Sequence, residues 1–349
     1  MRALSRWLNR SLARLALARS DAALLKAAGG APRTAGGRTL DPHFQFIEAK
    51  SRARPAPAVL TPAIARAQTN ALVYLFGGRR AADVNVEALR IEAEGRAIPA
   101  RIYHPPVRDP TSPVLVYFHF GGGVVGNLET CDAFCAQLAE ETQGPILSVD
   151  YRLAPEHPWP AGLEDARAAY RWAIENAARF DAPAGRAAVG GDSMGGNFAA
   201  IIAQETKRAS EVQPVAQLLI YPAVDIACDR PSMAIFADAF PLTRAMMDWF
   251  MENYLPTGVD RRNVRVSPAH ESDLSGLAPA LIYGAGFDIL ADQGADYAAR
   301  LKAAGVKTTY HCFDALAHGF TAFAGAVPAA DRACRRIARE TASFLRSLR

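Results

Sequence analysis

The sequence predicts an α/β protein with a doubly wound, mostly parallel sheet flanked by helices. Two observations carry this. Short continuous apolar runs alternate with amphipathic stretches along most of the chain, as strands buried on both faces of a parallel sheet require. Glycine-rich turns follow two of those runs directly, at Gly121–Gly123 and at Gly191–Gly195, where the chain must leave a strand sharply.

Residues 1–75 read as helical pieces with no strand pattern, broken at Gly29 to Gly37. Met1 to Arg19 holds five arginines and no acid, while Leu4, Trp7, Leu8, Leu12, Leu15 and Leu17 suggest one face of an amphipathic helix. Arg14 interrupts what would otherwise resemble a cleaved signal. A docked helix or a membrane-surface helix is the expectation.

The main domain is expected over 76–349. Ala88–Ala93 and Ile98–Tyr103, joined through Glu94-Gly95-Arg96, read as an antiparallel pair. Strands are then predicted at Val114–Phe118, Ile146–Val149, Ala187–Val189, Leu218–Tyr221, Ala280–Tyr283 and Thr308–Phe313, with helices such as Leu163 to Phe180 and Asp331 to Leu348 between and after them. Ala227 to Ser267 breaks the rhythm. This Phe-, Met- and Trp-rich interval sits where a short crossover belongs, and it reads as an inserted helical piece that covers a site together with residues 1–75.

With 349 residues, half of them apolar and a fifth charged, the chain has ample material for a core. The net charge of +4 and the absence of a long basic stripe with interleaved aromatics argue against nucleic acid. No apolar run reaches the length of a membrane span. Five cysteines, an odd number without a C-x-x-C, argue against a disulfide framework and fit a cytoplasmic location. Cys131 and Cys135 share a helical face with Phe134 and Leu138, which reads as core packing.

Chemistry concentrates at three places. Gly191-Asp192-Ser193-Met194-Gly195 lies between a strand and a helix-like stretch, a turn that lifts a hydroxyl clear of the sheet edge. A serine attacks only when a base takes its proton and a carboxylate orients that base. Asp288 stands just past the Ala280 strand and His318 in the loop past the next, which is the order and placement such partners need. Taken singly, Asp288 reads as a helix cap and His318 as a loop histidine; their joint placement is what points to catalysis. The run His119-Phe120-Gly121-Gly122-Gly123 offers bare amides which, with that of Met194, would stabilise an oxyanion by about 3 kcal/mol per donor. Phe120, Gly123, Asp192, Phe236, Phe240 and Trp249 are candidate substrate contacts, the three insert aromatics having core packing as their plainer explanation. No metal-ligand spacing appears, and no cofactor is expected. The rival reading is a dinucleotide fingerprint, Gly121-x-Gly123-x-x-Gly126 with Asp150 closing the next strand; it leaves Ser193, Asp288 and His318 unexplained.

The chain resembles the hormone-sensitive-lipase family of α/β-hydrolases, in its bacterial G-D-S-A-G carboxylesterase branch. The resemblance rests on Tyr117 to His119, Gly126 to Thr130, Asp150 to Ala161, Gly191 to Asn197, Ser267-Pro268, Ala285 to Asp288 and His318 to Phe320, in family order from about Thr39 to the C-terminus. It implies an eight-stranded hydrolase core under a helical cap, built from residues 1–75 and an insert at about 227–267. It also implies Ser193 as nucleophile, Asp288 as orienting acid and His318 as base, acting on short- to medium-chain acyl esters. Two departures stand out. The usual His-Gly-Gly-Gly-aromatic is here His119-Phe120-Gly121-Gly122-Gly123, so Phe120 replaces the first glycine, Gly123 replaces the aromatic, and the donors map to Gly121 and Gly122. A positive φ at Phe120 would strain it by about 1–3 kcal/mol. Met194 stands where alanine is usual, and its thioether is expected to crowd the pocket. The expected partner is a small-molecule ester, with a homodimer left open. A catalytically silent binding protein of this fold, and an amidase, deacetylase or lactonase with the same machinery, are the alternatives.

Overall fold

The structure, a computed structural model, describes residues 2–55 and 57–348, with side chains from residue 9 onward; the side chains of Leu4, Trp7 and Leu8 lie outside the described residues. The chain opens with α1 (Arg2–Leu17), α2 (Asp21–Ala27), a two-residue pair β1 (Thr34–Ala35) and β2 (Arg38–Thr39), α3 (Pro42–Arg52) and α4 (Pro62–Phe76). The main body follows as β3 (Asn85–Ala93), β4 (Arg96–His104), β5 (Val114–Phe118), α5 (Asp132–Thr142), β6 (Ile146–Val149), α6 (Ala161–Asn176), β7 (Ala187–Asp192), α7 (Met194–Arg208) and β8 (Gln217–Ile220). After the inserted α8 (Pro231–Ile235) and α9 (Arg244–Tyr254) come β9 (Ala280–Phe287), α10 (Ala291–Ala303), β10 (Thr308–Ala317) and α11 (Pro328–Arg346).

Eight strands form one sheet in the order β10-β9-β8-β7-β5-β6-β4-β3. Only β4 runs against its neighbours, pairing antiparallel with β3 and β6; the other pairings are parallel. Every residue of β5 to β9 is buried, which explains their uninterrupted apolar runs. The register sets Phe118 beside Gly191 and Asp192 beside Ile220, so the carboxyl ends of β5, β7 and β8 share one rim.

Four expectations change. Residues 1–75 do contain a strand pair: Gly36 and Gly37, at φ 56° and 74°, close a two-residue turn between Thr34-Ala35 and Arg38-Thr39, a conformation glycine adopts without steric penalty. Strands β7, β9 and β10 run past their predicted ends through Gly190-Gly191, through Gly284 to Phe287 and through Asp314 to Ala317. Glycine reads as a strand breaker, yet here it lets strands approach closely; a Cβ on Gly286 would fall on the Asp314 backbone. The last helix begins three residues early, because Pro328 occupies its first turn, where a missing N–H is harmless. Helix α6 ends at Asn176 and continues to Phe180 as a 3-10 turn.

The N-terminal helices and the insert meet above the strand rim. Trp249 Nε1 donates to the Leu60 carbonyl at 3.0 Å, and Phe44, Phe76 and Phe240 surround Phe323, with ring centroids 5.0, 5.8 and 6.2 Å away. No described helix is long and apolar enough to cross a membrane.

Candidate active site

Strand β7 ends at Asp192 and α7 starts at Met194, which leaves Ser193 alone in the turn at φ 55°, ψ −115°. That conformation strains a non-glycine residue by about 1–3 kcal/mol and persists only if its surroundings over-determine it. They do. Ser193 N donates to the Ile220 carbonyl at 2.9 Å, and the Ser193 carbonyl accepts from Asn197 N at 3.0 Å and Ala223 N at 3.2 Å. The flanking glycines are steric necessities: a Cβ on Gly195 would overlap the Phe118 carbonyl, and one on Gly191 would overlap the Gly195 backbone.

Asp288 follows β9 and is fully buried. Its Oδ1 accepts from Leu290 N at 2.9 Å, and its Oδ2 lies 2.7 Å from His318 Nδ1. The carboxylate thus caps the following turn and orients the imidazole at once. His318 follows β10, and its Nε2 lies 2.9 Å from Ser193 Oγ. Three residues far apart in sequence therefore form one hydrogen-bonded line at the strand rim. The Nδ1 proton held by Asp288 leaves Nε2 with the lone pair that faces the hydroxyl.

The donor turn follows β5. Gly121, Gly122 and Gly123 adopt φ 131°, 61° and 73°, and Phe120 is not among the residues at positive φ. The strain anticipated at Phe120 is therefore absent, because the left-handed geometry begins one residue later. Among the described residues the amides of Gly121, Gly122 and Met194 have no backbone partner. His119 anchors the turn: its ring stacks on Tyr151 at 4.2 Å, its Nδ1 donates to the Phe120 carbonyl at 2.8 Å, and Tyr151 donates to the His119 carbonyl at 2.7 Å. Burial pushes His119 down to about 4, so it stays neutral. The dinucleotide reading fails here, since the glycine turn opens no helix; α5 begins only at Asp132.

The remaining candidates distribute unevenly. Asp192 lies beneath the site rather than at its mouth: it is 1 % exposed, and its Oδ2 accepts from Tyr221 at 2.9 Å and Thr321 at 2.8 Å. Burial raises it above the ordinary carboxylate range, against those two hydrogen bonds. Met194 is 1 % exposed, so its thioether packs into the core instead of crowding a pocket. Phe236 is likewise core, 5.3 Å from the Phe287 ring and 2 % exposed. Trp249 ties the insert to residues 1–75 through Leu60, and Phe240 stands half-buried against Phe323. The cavity of about 510 Å³ that Met233, Met247 and Met251 form with Asp225 and Arg244 is lined neither by these three aromatics nor by Ser193, Asp288 or His318.

Several residues carried no readable signal. Phe250 and Tyr254 of α9 press on Gly122 and Gly123, where a Cβ would come within 2.5 Å of either ring. The Tyr221 ring lies 4.8 Å from that of His318, and its hydroxyl joins Asp192 to Thr321. Arg66 of α4 donates from Nε to the Val124 carbonyl and from Nη2 to the Ala154 carbonyl, both at 2.9 Å, while its guanidinium holds Glu156 at 2.6–2.7 Å. An isolated arginine in a helix offers no clue that it reaches a loop 58 residues away.

Known proteins share this arrangement of elements. A family profile described as the α/β-hydrolase fold matches residues 115–322. The carboxylic ester hydrolase LipN of Mycobacterium tuberculosis is 41 % identical over 293 residues, 81 % of this chain and 77 % of its own. An ethyl acetate hydrolase of Pseudomonas putida is 37 % identical over 241 residues, 68 % and 76 % respectively. The solved hyperthermophilic esterase of Pyrobaculum calidifontis superposes with a TM-score of 0.80 at 33 % identity, covering 89 % of this chain and 99 % of its own. By profile, identity and topology together, the chain belongs to the hormone-sensitive-lipase-like family of the α/β-hydrolase fold.

Proposed function

We propose that this protein is a serine carboxylesterase that hydrolyses short- to medium-chain acyl esters through an acyl-enzyme. The observation that carries the reading is the 2.9 Å approach of Ser193 Oγ to a His318 imidazole that Asp288 holds at 2.7 Å. His318 Nε2 takes the hydroxyl proton as Oγ attacks the ester carbonyl, and Asp288 stabilises the imidazolium. The amides of Gly121, Gly122 and Met194 receive the developing oxyanion. As the tetrahedral intermediate collapses, the ester C–O bond breaks and His318 returns the proton to the departing alcohol. Water then enters, gives its proton to His318 and attacks the acyl carbon; the acid leaves and Ser193 regains its proton. Residues 1–75 and 227–267 act as the cap over this site, and the five free cysteines support a cytoplasmic location.

The short-acyl preference is supported by relatives whose names include an ethyl acetate hydrolase. A silent binding protein would have no use for an intact and aligned base. The test is hydrolysis of p-nitrophenyl acetate, butyrate and octanoate by wild type and Ser193→Ala. Activity is expected to vanish in the variant and to decline toward octanoate; a variant that keeps most of its activity overturns the reading. Phe240→Ala should shift the chain-length preference if that ring meets the acyl group, and an unchanged profile removes it from the pocket.

A further inference from the structure

The first helix is docked with Leu12 and Leu15 outward. In α1, Leu17 is buried, whereas Leu12 and Leu15 are 54 % and 71 % exposed. What faces the protein instead is arginine. Arg10 and Arg14 each donate an Nη2 hydrogen bond to the Gly77 carbonyl, at 3.3 and 3.2 Å, and Arg10 lies 5.3 Å over the Tyr74 ring. In the sequence Leu4 and Leu8 precede Leu12 at four-residue spacing, so the leucines define one stripe about 80° wide at 100° per residue. A helix that serves only to complete a water-soluble core buries that stripe. This one turns Leu12 and Leu15, the described members of that stripe, to solvent.

Charge points to what covers it. The first 80 residues hold fourteen Lys and Arg against three Asp and Glu, a net of +11; the other 269 hold 25 against 32, a net of −7, and together they make the +4 of the whole chain. Among the described residues, Arg10, Arg14, Arg19, Lys50 and Arg79 join no ion pair. Arg19, just past the end of α1, and Lys50 both stand 5.4 Å from the Phe46 ring, which sets two unpaired cations at the end of the leucine stripe. Exposed leucines flanked by unpaired cations match the two layers of an anionic bilayer surface, hydrocarbon below and phosphate above.

We propose that α1 is a membrane-surface helix, which seats the protein on anionic lipid with Leu12 and Leu15 among the acyl chains and the Arg19–Lys50 cluster at the phosphate level. The attachment is peripheral and reversible, and it holds whether or not the triad works as described above, because its readout is binding.

The experiment is flotation of the full chain with vesicles of phosphatidylglycerol and phosphatidylcholine, and with vesicles of phosphatidylcholine alone. Wild type should float with the anionic vesicles, lose much of that binding in high salt, and float weakly with the neutral ones. Leu12→Ser/Leu15→Ser should weaken binding roughly tenfold or more, with hydrolysis of soluble p-nitrophenyl butyrate unchanged as the sign of an intact fold. Arg19→Ala/Lys50→Ala should remove a large part of the salt-sensitive binding, and it keeps the test decisive if the leucine variant misfolds. No binding to anionic vesicles at low salt, or equal binding by wild type and both variants, overturns the proposal. So does a leucine-dependent dimer without vesicle binding, which would make a second copy the occupant, or binding to duplex DNA in place of lipid.

Discussion

The strand rim and the helices above it are held together by opposite means. At the rim, backbone lies on backbone: Gly195 fits under the Phe118 carbonyl, Ser193 is pinned from β8, and Asp288 is sealed from water. Above it, packed rings such as Phe44 on Phe323 are joined by long side chains that touch solvent. Arg52 and Asp238 meet across the two helical segments at 51 % and 69 % side-chain exposure, and such pairs contribute about 0–1 kcal/mol each. Reacting atoms must be placed to within a fraction of an ångström, which only close-packed backbone achieves. The proposed cap has to part to admit substrate, which weak contacts allow. Arg66 bridges the two regimes, because it fastens a covering helix to the loop that carries the proposed oxyanion donors.

The largest expected effect tests the rim. Asp288→Asn should lower kcat about 10⁴-fold with the fold intact, by loss of the productive imidazole tautomer; a loss under about tenfold would mean that the buried carboxylate serves only as a turn cap.

His119 gives the next largest. It stays neutral in the folded protein down to about 4, whereas the unfolded chain protonates near 6.5. The folded pKa is depressed below the unfolded one, so the unfolded state binds more protons between the two values. The stability this group provides is complete above about 6.5 and is lost as pH falls toward 4, by up to roughly 3 kcal/mol. Urea midpoints measured across that window should fall less steeply in His119→Asn than in wild type, and parallel slopes would remove the histidine from acid unfolding.

Arg66→Ala should lower kcat about tenfold with little change in KM, since a displaced Val124 carbonyl misplaces donors that are worth 10²–10³ when lost outright. Labelling of Ser193 by a fluorophosphonate should slow in parallel, while Arg66→Lys should restore little because a single ammonium cannot serve two carbonyls and Glu156. If kcat does not move, cover and donor loop are energetically independent and the contrast between them is complete. Smallest of all, Asp238→Ala, which removes only the exposed partner and leaves Arg33 and Arg52 on the buried Glu48, should change stability by about 1 kcal/mol or less and leave kcat alone; a larger loss would show that the covering contacts are not individually weak.

Consecutive residues were enough to read the sheet, the elbow at Ser193, the positions of Asp288 and His318 at strand ends, and the glycine turn from Gly121. Each of these rests on a local rule, whether periodicity, turn chemistry or spacing, and local rules are written in consecutive residues. Tertiary structure alone decided which neighbours those residues would have. It buried Met194 and Asp192, assigned Phe236 to the core, laid Phe250 and Tyr254 on Gly122 and Gly123, and sent Arg66 to carbonyls 58 and 88 residues away. It also turned Leu12 and Leu15 of α1 outward, against the usual rule that an apolar stripe faces the core. Contacts between distant segments depend on how whole elements pack, and no spacing within one element encodes them.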